Sequence, residues 1–410
     1  MTERPLSRRS FLVGTGAAAA LTLVGCSTAT KRGAGPSASL TPTAAPSPFD
    51  CHVDPAAASG TPLWRRAWER GLVYGSSTAT WQISDSQYAK LFAREAAILF
   101  TEDDLLWWRL RPSPTSGIDF RYGDRIVSFA QKHGMLVLGA HLVWDQGYGT
   151  GWKRSDFTSL SAKQARGLLF GTVRSTVRHF RGRIAAWITV NEAVGESGLR
   201  TDLPWYQTIG PSYVADAFHL VRSEDPKALL VLNDYGFETT DGYGSNPAAK
   251  RASMLKTLDR LLADKVPVDA LGIQAHLDAS FFPDQFDADA YRRFLSEVAD
   301  RGLKILITEL DVLDDTLPPA ACPRDVGVAN VYRTYLDVAL DDPAIVSLTT
   351  FGLSDRYTWL QEDFKRQDGK RRRPLPFDQN MKPKAAFVAL KEGLDRAAMR
   401  RPWRRPPRAA

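Results

Sequence analysis

The chain has 410 residues, 44% hydrophobic and 24% charged, with a formal net charge of +7. These are ordinary values for a globular protein, and the length alone would allow one to three domains. The three cysteines, Cys26, Cys51 and Cys322, form no C-x-x-C pair, which argues against a thiolate zinc site. No metal site and no cofactor are expected.

The N-terminus indicates an export signal. Residues 7–12 have the twin-arginine pattern S-R-R-S-F-L, and an apolar run continues to L-V-G-C at Cys26, typical of a lipobox whose cysteine is acylated. Residues 1–26 are therefore predicted to be a lipoprotein signal peptide and 27–48, rich in Ser, Thr, Ala, Pro and Gly, a flexible linker. The protein is expected on the extracytoplasmic side, anchored in a membrane through Cys26, or secreted. A plain signal peptide cut near the same point is the alternative. Cys51 and Cys322 could pair in that compartment.

From residue 72 onward, apolar segments that resemble buried strands alternate with amphipathic segments. The predicted strands are Leu72–Ser77, Ala97–Thr101, Leu136–Trp144, Ile184–Asn191, Leu229–Asp234, Ala270–Leu277, Lys304–Leu310 and Ile345–Gly352. The predicted helices cover 84–95, 121–133, 160–180, 211–224, 248–264, 287–301, 327–340 and 382–397. Eight such units predict an α/β protein with a (β/α)8 TIM barrel, one catalytic domain over 49–397. A doubly wound open sheet is the alternative, but no glycine-rich nucleotide motif follows the first strand.

Arginines cluster at two places, 371–373 and 400–408. Residues 398–410 are predicted to be a basic C-terminal tail, and both clusters are interpreted as solvated surface beside a membrane or cell wall. Binding of nucleic acid or anionic lipid is the alternative. No RNA-binding motif or zinc-finger spacing accompanies the arginines, so no nucleic-acid partner is expected.

Polar side chains end several predicted strands, where a barrel of this kind carries its chemistry. Glu192 follows the fourth strand and Glu309 lies near the end of the seventh, so the two carboxylates can face each other across the barrel mouth. Such a pair fits glycoside hydrolysis, in which one carboxyl donates a proton and the other acts as nucleophile or base. A carboxylate at a strand end can also simply cap the next helix.

Two segments carry a family resemblance. Residues 187–193, W-I-T-V-N-E-A, resemble the W-x-V-V-N-E-A motif, and residues 307–312, I-T-E-L-D-V, the I-T-E-L-D-I motif of glycoside hydrolase family 10, the xylanase family. Further segments resemble that family in order, and the likeness covers roughly residues 65–395. These segments are 233–235, 272–277, 352–359, 377–380 and 382–386.

The resemblance implies that Glu192 is the acid/base and Glu309 the nucleophile of a retaining enzyme. It also implies that Asn191 binds the sugar 2-hydroxyl and that Asp311 orients His276 beside Glu309. The other implied substrate-binding residues are Trp144, Gln274, Asn233, Tyr235 and Trp359. The tryptophans would pack on sugar rings, whose C–H faces are apolar. Packing at the barrel mouth is the alternative for the tryptophans, and a purely structural role is the alternative for Asn233 and Tyr235.

The chain departs from the family where glycone-side sugars are held. Asp104 replaces an Asn, Trp107 a Lys, Ala140 a His and Phe351 a Trp, and G-H-T-L-V-W-H becomes G-A-H-L-V-W-D, ending at Asp145. These changes put the identity of the substrate in doubt more than the type of reaction. His141 is not expected to replace the lost imidazole, because adjacent strand residues point to opposite faces.

The resulting expectation is a monomer that hydrolyses internal β-1,4 bonds of a polysaccharide, with xylan favoured. One alternative keeps the mechanism but acts on another β-glycan or a cell-surface polysaccharide. The other is a surface lipoprotein that binds glycan without turnover. The presence together of Asn191, Glu192, His276, Glu309 and Asp311 argues against it, because binding alone needs no such set.

Overall fold

The computed structural model describes residues 49–240 and 245–409. The predicted signal peptide and linker lie outside these residues. Eight strands alternate with eight principal helices. The strands are β1 Val73–Thr78, β2 Ile98–Thr101, β3 Leu136–Gly139, β4 Ala186–Asn191, β5 Leu229–Asp234, β6 Ala270–Ile273, β7 Lys304–Leu313 and β8 Ile345–Thr350. The helices are α1 Ser86–Glu95, α2 Arg121–Lys132, α3 Ala162–Phe180, α4 Tyr213–Glu224, α5 Pro247–Ala263, α6 Ala288–Asp300, α7 Ala321–Ala339 and α8 Ala385–Arg396.

Shorter elements lie around this repeat. A helix, Leu63–Glu69, precedes β1, and a two-stranded hairpin, Val194–Gly195 and Gly198–Leu199, follows β4. The short helices are Trp107–Leu110, Ser155–Thr158, Pro204–Ile209, Phe282–Gln285 and Leu360–Asp363, and the 3-10 turns are Pro55–Ala58, Asp355–Tyr357 and Pro407–Ala409.

The eight strands close into a parallel barrel. Each pairs in parallel with the next along the chain, and β8 pairs with both β7 and β1. The predicted (β/α)8 barrel with a single catalytic domain is therefore confirmed. Because all strands run the same way, their carboxyl ends share one mouth, and β4 and β7 approach it from opposite sides. The pairing of Asn191 with Asn233 places the polar ends of β4 and β5 at one level.

Side chains on both faces of the barrel strands are buried. One apolar cluster fills the barrel interior and includes Phe100, Ile188 and Leu306. A larger cluster lies between the strands and the surrounding helices. This burial on both faces explains why several strand sequences, such as that of β3, are apolar at nearly every position.

Several element boundaries differ from the prediction. The third strand ends at Gly139 instead of Trp144. Residues 140–144 are buried in the barrel mouth but do not form a strand, so their apolar character reflects burial and not strand conformation. The sixth strand stops at Ile273, and a separate short strand, His276–Asp278, pairs with β7. Helix α7 begins at Ala321, six positions earlier than predicted. Its first turn carries Cys322, which forms a disulfide with Cys51, their Cα atoms 5.0 Å apart.

The interpretation of residues 371–373 as a solvated cluster is wrong for two of the three arginines. Arg372 is 2% exposed, and its guanidinium lies 3.1 Å from Asp314 and 2.7 Å from Asp315. Arg373 lies 2.6 Å from Asp325. Carboxylate partners offset the cost of burying these guanidinium groups, and the aspartates are 48 to 58 positions away in sequence.

The C-terminal tail lies across the amino ends of the barrel strands, so its interpretation as a solvated segment is wrong for Arg400, Arg404 and Arg408, whereas Arg401 and Arg405 are exposed. Arg400 is 7% exposed, and Arg404 and Arg408 are fixed by main-chain contacts. The three guanidinium groups donate to the carbonyl oxygens of Leu340, Asp342, Ala185, Lys227 and Ala93. Carbonyl oxygens at the barrel base thereby gain charged donors. Within the described residues, no helix has the length and apolar character needed to cross a membrane.

Candidate active site at the barrel mouth

Glu192 stands immediately after β4, in an unusual backbone conformation. Its φ is 56°, a left-handed value that costs a non-glycine residue about 1–3 kcal/mol. Its amide donates to the carbonyl of Asn233 at 2.9 Å, which holds the chain in this turn. The side chain is 7% exposed, and Oε1 accepts from Nε2 of Gln274 at 3.0 Å and Nδ2 of Asn191 at 3.2 Å. The carboxyl is thus oriented by two neutral amides.

Glu309 lies within β7 and is more deeply buried, at 1% exposure. Its backbone amide donates to the carbonyl of Gln274 at 2.9 Å. Oε1 accepts from Nδ2 of Asn233 at 2.9 Å, and Oε2 lies 3.3 Å from Nε2 of His276. One oxygen therefore faces a neutral amide and the other a potential cation.

Asn233 links the environments of the two carboxyl groups. Its Nδ2 donates both to Asn191 Oδ1, at 2.8 Å, and to Glu309 Oε1, while its Oδ1 accepts from Thr308 Oγ1 at 2.8 Å. Gly272 makes this arrangement possible, since a Cβ there would lie 2.2 Å from Asn233 Oδ1. Asn191, Asn233, Gln274, Glu192 and Glu309 therefore form one hydrogen-bonded network, as their strand-end positions predict.

His276 is held between two carboxylates. Its Nδ1 lies 2.8 Å from Asp311 Oδ1, while the other Asp311 oxygen accepts from the indole of Trp359 at 2.7 Å. Burial lowers the pKa of His276, but the charges of Asp311 and Glu309 outweigh it and raise the pKa to about 10. Asp311 stands two residues after Glu309 on β7, so both point to the same side. The ring is therefore an imidazolium at neutral pH.

Aromatic rings pack around two histidines in the barrel mouth. The rings of Trp144 and His141 are 4.8 Å apart, and those of Trp359 and His276 are 5.1 Å apart. Trp144 is 6% exposed. Tyr235 is half-buried on the loop after β5, its ring 4.9 Å from Nζ of Lys250, so it belongs to the rim rather than to the hydrogen-bonded centre.

Most of the positions that depart from the family motif are buried against apolar side chains. Trp107 is 5% exposed, with its ring 5.3 Å from that of Tyr148 and 5.4 Å from that of Trp152. Ala140 and Phe351 are buried in the barrel interior, and the Phe351 ring lies 5.5 Å from that of His276. These three positions provide apolar packing where the family motif has Lys, His and Trp.

Asp104 is fully buried and faces the loop after β1. Its two oxygens accept from the amide and the hydroxyl of Thr80, at 2.7 and 2.9 Å. Burial raises the pKa of Asp104 to about 7, although the two Thr80 hydrogen bonds oppose the rise. Asp104 therefore fixes this loop, and both its oxygens are engaged.

Several residues that support the site were not identified from sequence. Buried Asp234 accepts from Nζ of Lys250 at 2.7 Å and from the amide of Val194 at 3.0 Å, which fastens the hairpin after β4. Arg200 donates to the carbonyl oxygen of Glu192 at 3.2 Å and lies 3.7 Å from Asp145. The one available signal was Asp145, a carboxylate where the family motif has His. Within residues 49–240 and 245–409, no group of three or more potential ligands is placed to hold a metal ion.

Comparisons with known proteins agree with this geometry. The family described as "Glycosyl hydrolase family 10" matches residues 64–393. Endo-1,4-beta-xylanase B of Thermotoga neapolitana is 31% identical over 320 residues, which cover 76% of this chain and 85% of that protein. Beta-1,4-xylanase of Dictyoglomus thermophilum is 30% identical over 313 residues, which cover 73% of this chain and 82% of that protein.

Solved structures show the same likeness. Native xylanase 10B of Thermotoga maritima has a TM-score of 0.72 and 31% identity, covering 82% of this chain and 98% of that one. Xylanase 10B of Thermotoga petrophila RKU-1, solved with xylobiose, has a TM-score of 0.72 and 30% identity, covering 84% and 98%.

Proposed function

The chain belongs to glycoside hydrolase family 10 and is an endo-1,4-β-xylanase-like glycoside hydrolase, and from this premise we propose that it cleaves internal β-1,4 bonds of xylan with retention of configuration. The observation that carries the proposal is the arrangement of Glu192 and Glu309. Two buried carboxyl groups, joined through Asn191, Asn233 and Gln274, end in one barrel mouth and have different surroundings. Different surroundings are what separates an acid from a nucleophile.

In the first step Glu309 attacks the anomeric carbon while the glycosidic oxygen takes a proton from Glu192. The bond to the aglycone breaks, and a glycosyl ester forms on Glu309. The imidazolium of His276 favours the ionised form of Glu309 and holds one of its oxygens, so that the other can attack. The carboxyl of Glu192 accepts hydrogen bonds from the neutral amides of Asn191 and Gln274, and we assign the proton transfer to this group.

In the second step Glu192, now a carboxylate, takes a proton from water, and the resulting hydroxyl replaces Glu309 at the anomeric carbon. Two inversions give net retention. Asn191 keeps one N–H beyond its bond to Glu192, and we assign it to the sugar 2-hydroxyl. Trp144 and Trp359 would carry the sugar ring, and Gln274, Asn233 and Tyr235 complete the substrate-binding set.

A second candidate keeps this mechanism but changes the glycan. The buried positions of Trp107 and Ala140 favour it, because neither supplies the polar contact of the family motif, and Asp104 directs both oxygens to Thr80. A missing hydrogen bond to a sugar hydroxyl costs about 1–3 kcal/mol. Another β-glucan or a cell-surface polysaccharide is the corresponding substrate.

The experiment is a panel of β-linked polysaccharides incubated with residues 49–410, with products identified by mass spectrometry and their anomeric configuration followed by NMR. Oligosaccharides from xylan that first appear as the β-anomer support the proposal. Cleavage of another glycan with retention selects the second candidate. Binding without products, unchanged in Glu309→Gln, would instead indicate a non-catalytic glycan-binding protein.

We also propose export by the twin-arginine route and anchoring through a lipid on Cys26. The Cys51–Cys322 disulfide supports an oxidising compartment. Cys26→Ala should move the protein from the membrane fraction to the soluble fraction or block its processing, with Cys51→Ala as a cysteine control that stays membrane-bound. Equal membrane association of Cys26→Ala and wild type would contradict the anchor.

We further propose a monomer. Among the described residues, Met399 is the large hydrophobic side chain that is exposed, at 65%, and one such residue does not make an obligate interface. Light scattering of the eluting protein should give the mass of one chain, and a dimer mass would refute this.

A further inference from the structure

The C-terminal tail, described over residues 398–409, is hydrogen-bonded to the barrel base through its own backbone. It begins beyond residue 393, where the match to the family ends. Three of its amides donate to the chain segments that lead into the strands. The amides of Ala398, Arg400 and Arg408 donate to the carbonyl oxygens of Leu340, Arg70 and Gly134, at 3.0, 3.0 and 2.9 Å. The tail thereby joins the segments that precede β8, β1 and β3.

Three arginines spaced four residues apart add charged hydrogen bonds to this backbone attachment. The Nη2 atoms of Arg400, Arg404 and Arg408 donate to the carbonyl oxygens of Leu340, Lys227 and Ala93, at 2.6, 2.8 and 2.7 Å. These oxygens belong to residues that precede β8, β5 and β2. Hydrogen bonds from charged donors are stronger than neutral ones, so three strong contacts are distributed around the barrel base.

Trp403 covers the apolar interior of the barrel at the same end. Its half-buried ring packs against the interior cluster, which includes side chains from the first or second positions of their strands, Val73, Leu136 and Val346. The chain also leaves room for the tail at Gly71, where a Cβ would collide with the carbonyl oxygen of Arg400. Exposure of apolar side chains to water is unfavourable, so the tail shields the interior as well as joining the segments around it.

We propose that the C-terminal tail is a clamp that sets the unfolding rate of the barrel: Arg400, Arg404 and Arg408 hold it on the barrel base, and Trp403 shields the interior. A chain end is the segment that opens most easily in a folded protein. The tail docks on a surface that the strands must already have built, so its contacts form after the barrel and break before it. Contacts that form this late slow unfolding and leave the folding rate nearly unchanged.

The first test measures release of the tail from the native protein. Arg404→Met and Arg405→Met are a matched pair, because Arg404 donates to the barrel base whereas the neighbouring Arg405 is exposed. Both variants keep Arg400, which is 7% exposed, so trypsin cuts after it only once its side chain has left the barrel base. This cleavage should be about 10-fold faster in Arg404→Met than in Arg405→Met, because a charged contact is lost. Equal cleavage rates would overturn the inference.

The second test asks whether release of the tail controls unfolding. In urea, loss of the near-ultraviolet circular dichroism signal should be about 10-fold faster in Arg404→Met than in Arg405→Met, while the refolding rates agree within about 2-fold. Faster tail release without faster unfolding, or slower refolding with unchanged unfolding, would contradict a clamp.

A measurement on the wild type remains decisive even where a variant does not fold. On heating, cleavage after Arg400 should precede loss of the circular dichroism signal, whereas in the cold the tail should resist trypsin. Cleavage of the native tail as fast as that of a free peptide of the same sequence would refute the clamp. None of these measurements needs a substrate, so their outcome is independent of the proposed function.

Discussion

The position of His276 between Asp311 and Glu309 predicts a strong effect of Asp311→Asn. In the wild type the pKa of His276 is raised from 6.5 to about 10, despite the opposing effect of burial, by Asp311 first and Glu309 second. The substitution keeps the shape of the side chain and removes the carboxylate that raises the His276 pKa most. We expect the His276 pKa to fall towards 7, so that the ring becomes neutral near physiological pH.

The difference between 6.5 and 10 corresponds to about 5 kcal/mol of proton-linked folding free energy, at about 1.36 kcal/mol per pH unit. Because 19% of the His276 side chain is exposed, solvent screening reduces this figure, and we expect a loss of about 2–3 kcal/mol in the variant. The pKa is raised by folding, so the wild-type stabilisation is complete below about pH 6.5 and disappears as the pH rises through 10. The stability gap between variant and wild type should therefore narrow steadily as the pH rises from about 7 and nearly close by about pH 10.

The assay is 15N NMR of the six histidine side chains across pH, with the free energy of unfolding and kcat measured in parallel. His276 should remain an imidazolium at pH 8 in the wild type and titrate in the ordinary range in Asp311→Asn. Loss of the cation beside Glu309 should reduce kcat by about 10–100-fold. A wild-type His276 that titrates near pH 6.5, or a variant with unchanged titration, would refute this reasoning.

Three stability predictions follow from the fold. Reduction of the disulfide, or Cys322→Ser, removes a crosslink between residues 271 positions apart and should lower the free energy of unfolding by up to about 5 kcal/mol. The melting temperature should fall in both cases, and reductant should not change it further in Cys322→Ser. Arg372→Met should cost about 1–3 kcal/mol in urea unfolding, because it removes one partner of buried Asp314 while Arg324 and Arg366 remain beside that carboxylate. Exposed Arg371→Met should stay within about 0.5 kcal/mol, and equal losses would be contrary evidence. Trp107→Ala should cost about 3–5 kcal/mol, while a purely kinetic effect on short oligosaccharides without lost stability would place Trp107 in the cleft instead.

The barrel was predictable from sequence because strands buried on both faces are continuously apolar, as at Ile305 to Ile307, and the helices between them are amphipathic. The same rule failed at residues 140–144, since an apolar run reports burial and not backbone conformation. It also gave no location for Trp107, which packs among rings from other loops. Apolar character indicates that a residue is buried, but its position in the core depends on the tertiary fold.

The central site residues were predictable because they stand at strand ends, where Glu192 and Glu309 meet. Their partners were harder to find. The sequence predicted that Arg372 is exposed, because its carboxylate partners are 57 and 58 positions away and so do not appear in the local pattern. Asp145 and Arg200, also far apart in sequence, meet only because the loop after β3 and the hairpin after β4 lie side by side. Pairs of this kind carry no local pattern.

Covalent trapping tests the assignment of Glu309 as nucleophile most directly. A 2-deoxy-2-fluoro xylobioside with a dinitrophenolate leaving group slows both steps but still allows the first, so the glycosyl-enzyme accumulates. Peptide mass spectrometry should then find the added fluorosugar on Glu309, in the peptide that contains β7. Glu192→Ala should still be labelled, because this leaving group needs no proton, whereas Glu309→Gln should not. A label on Glu192 or on another residue, or full activity in Glu309→Gln, would contradict the account.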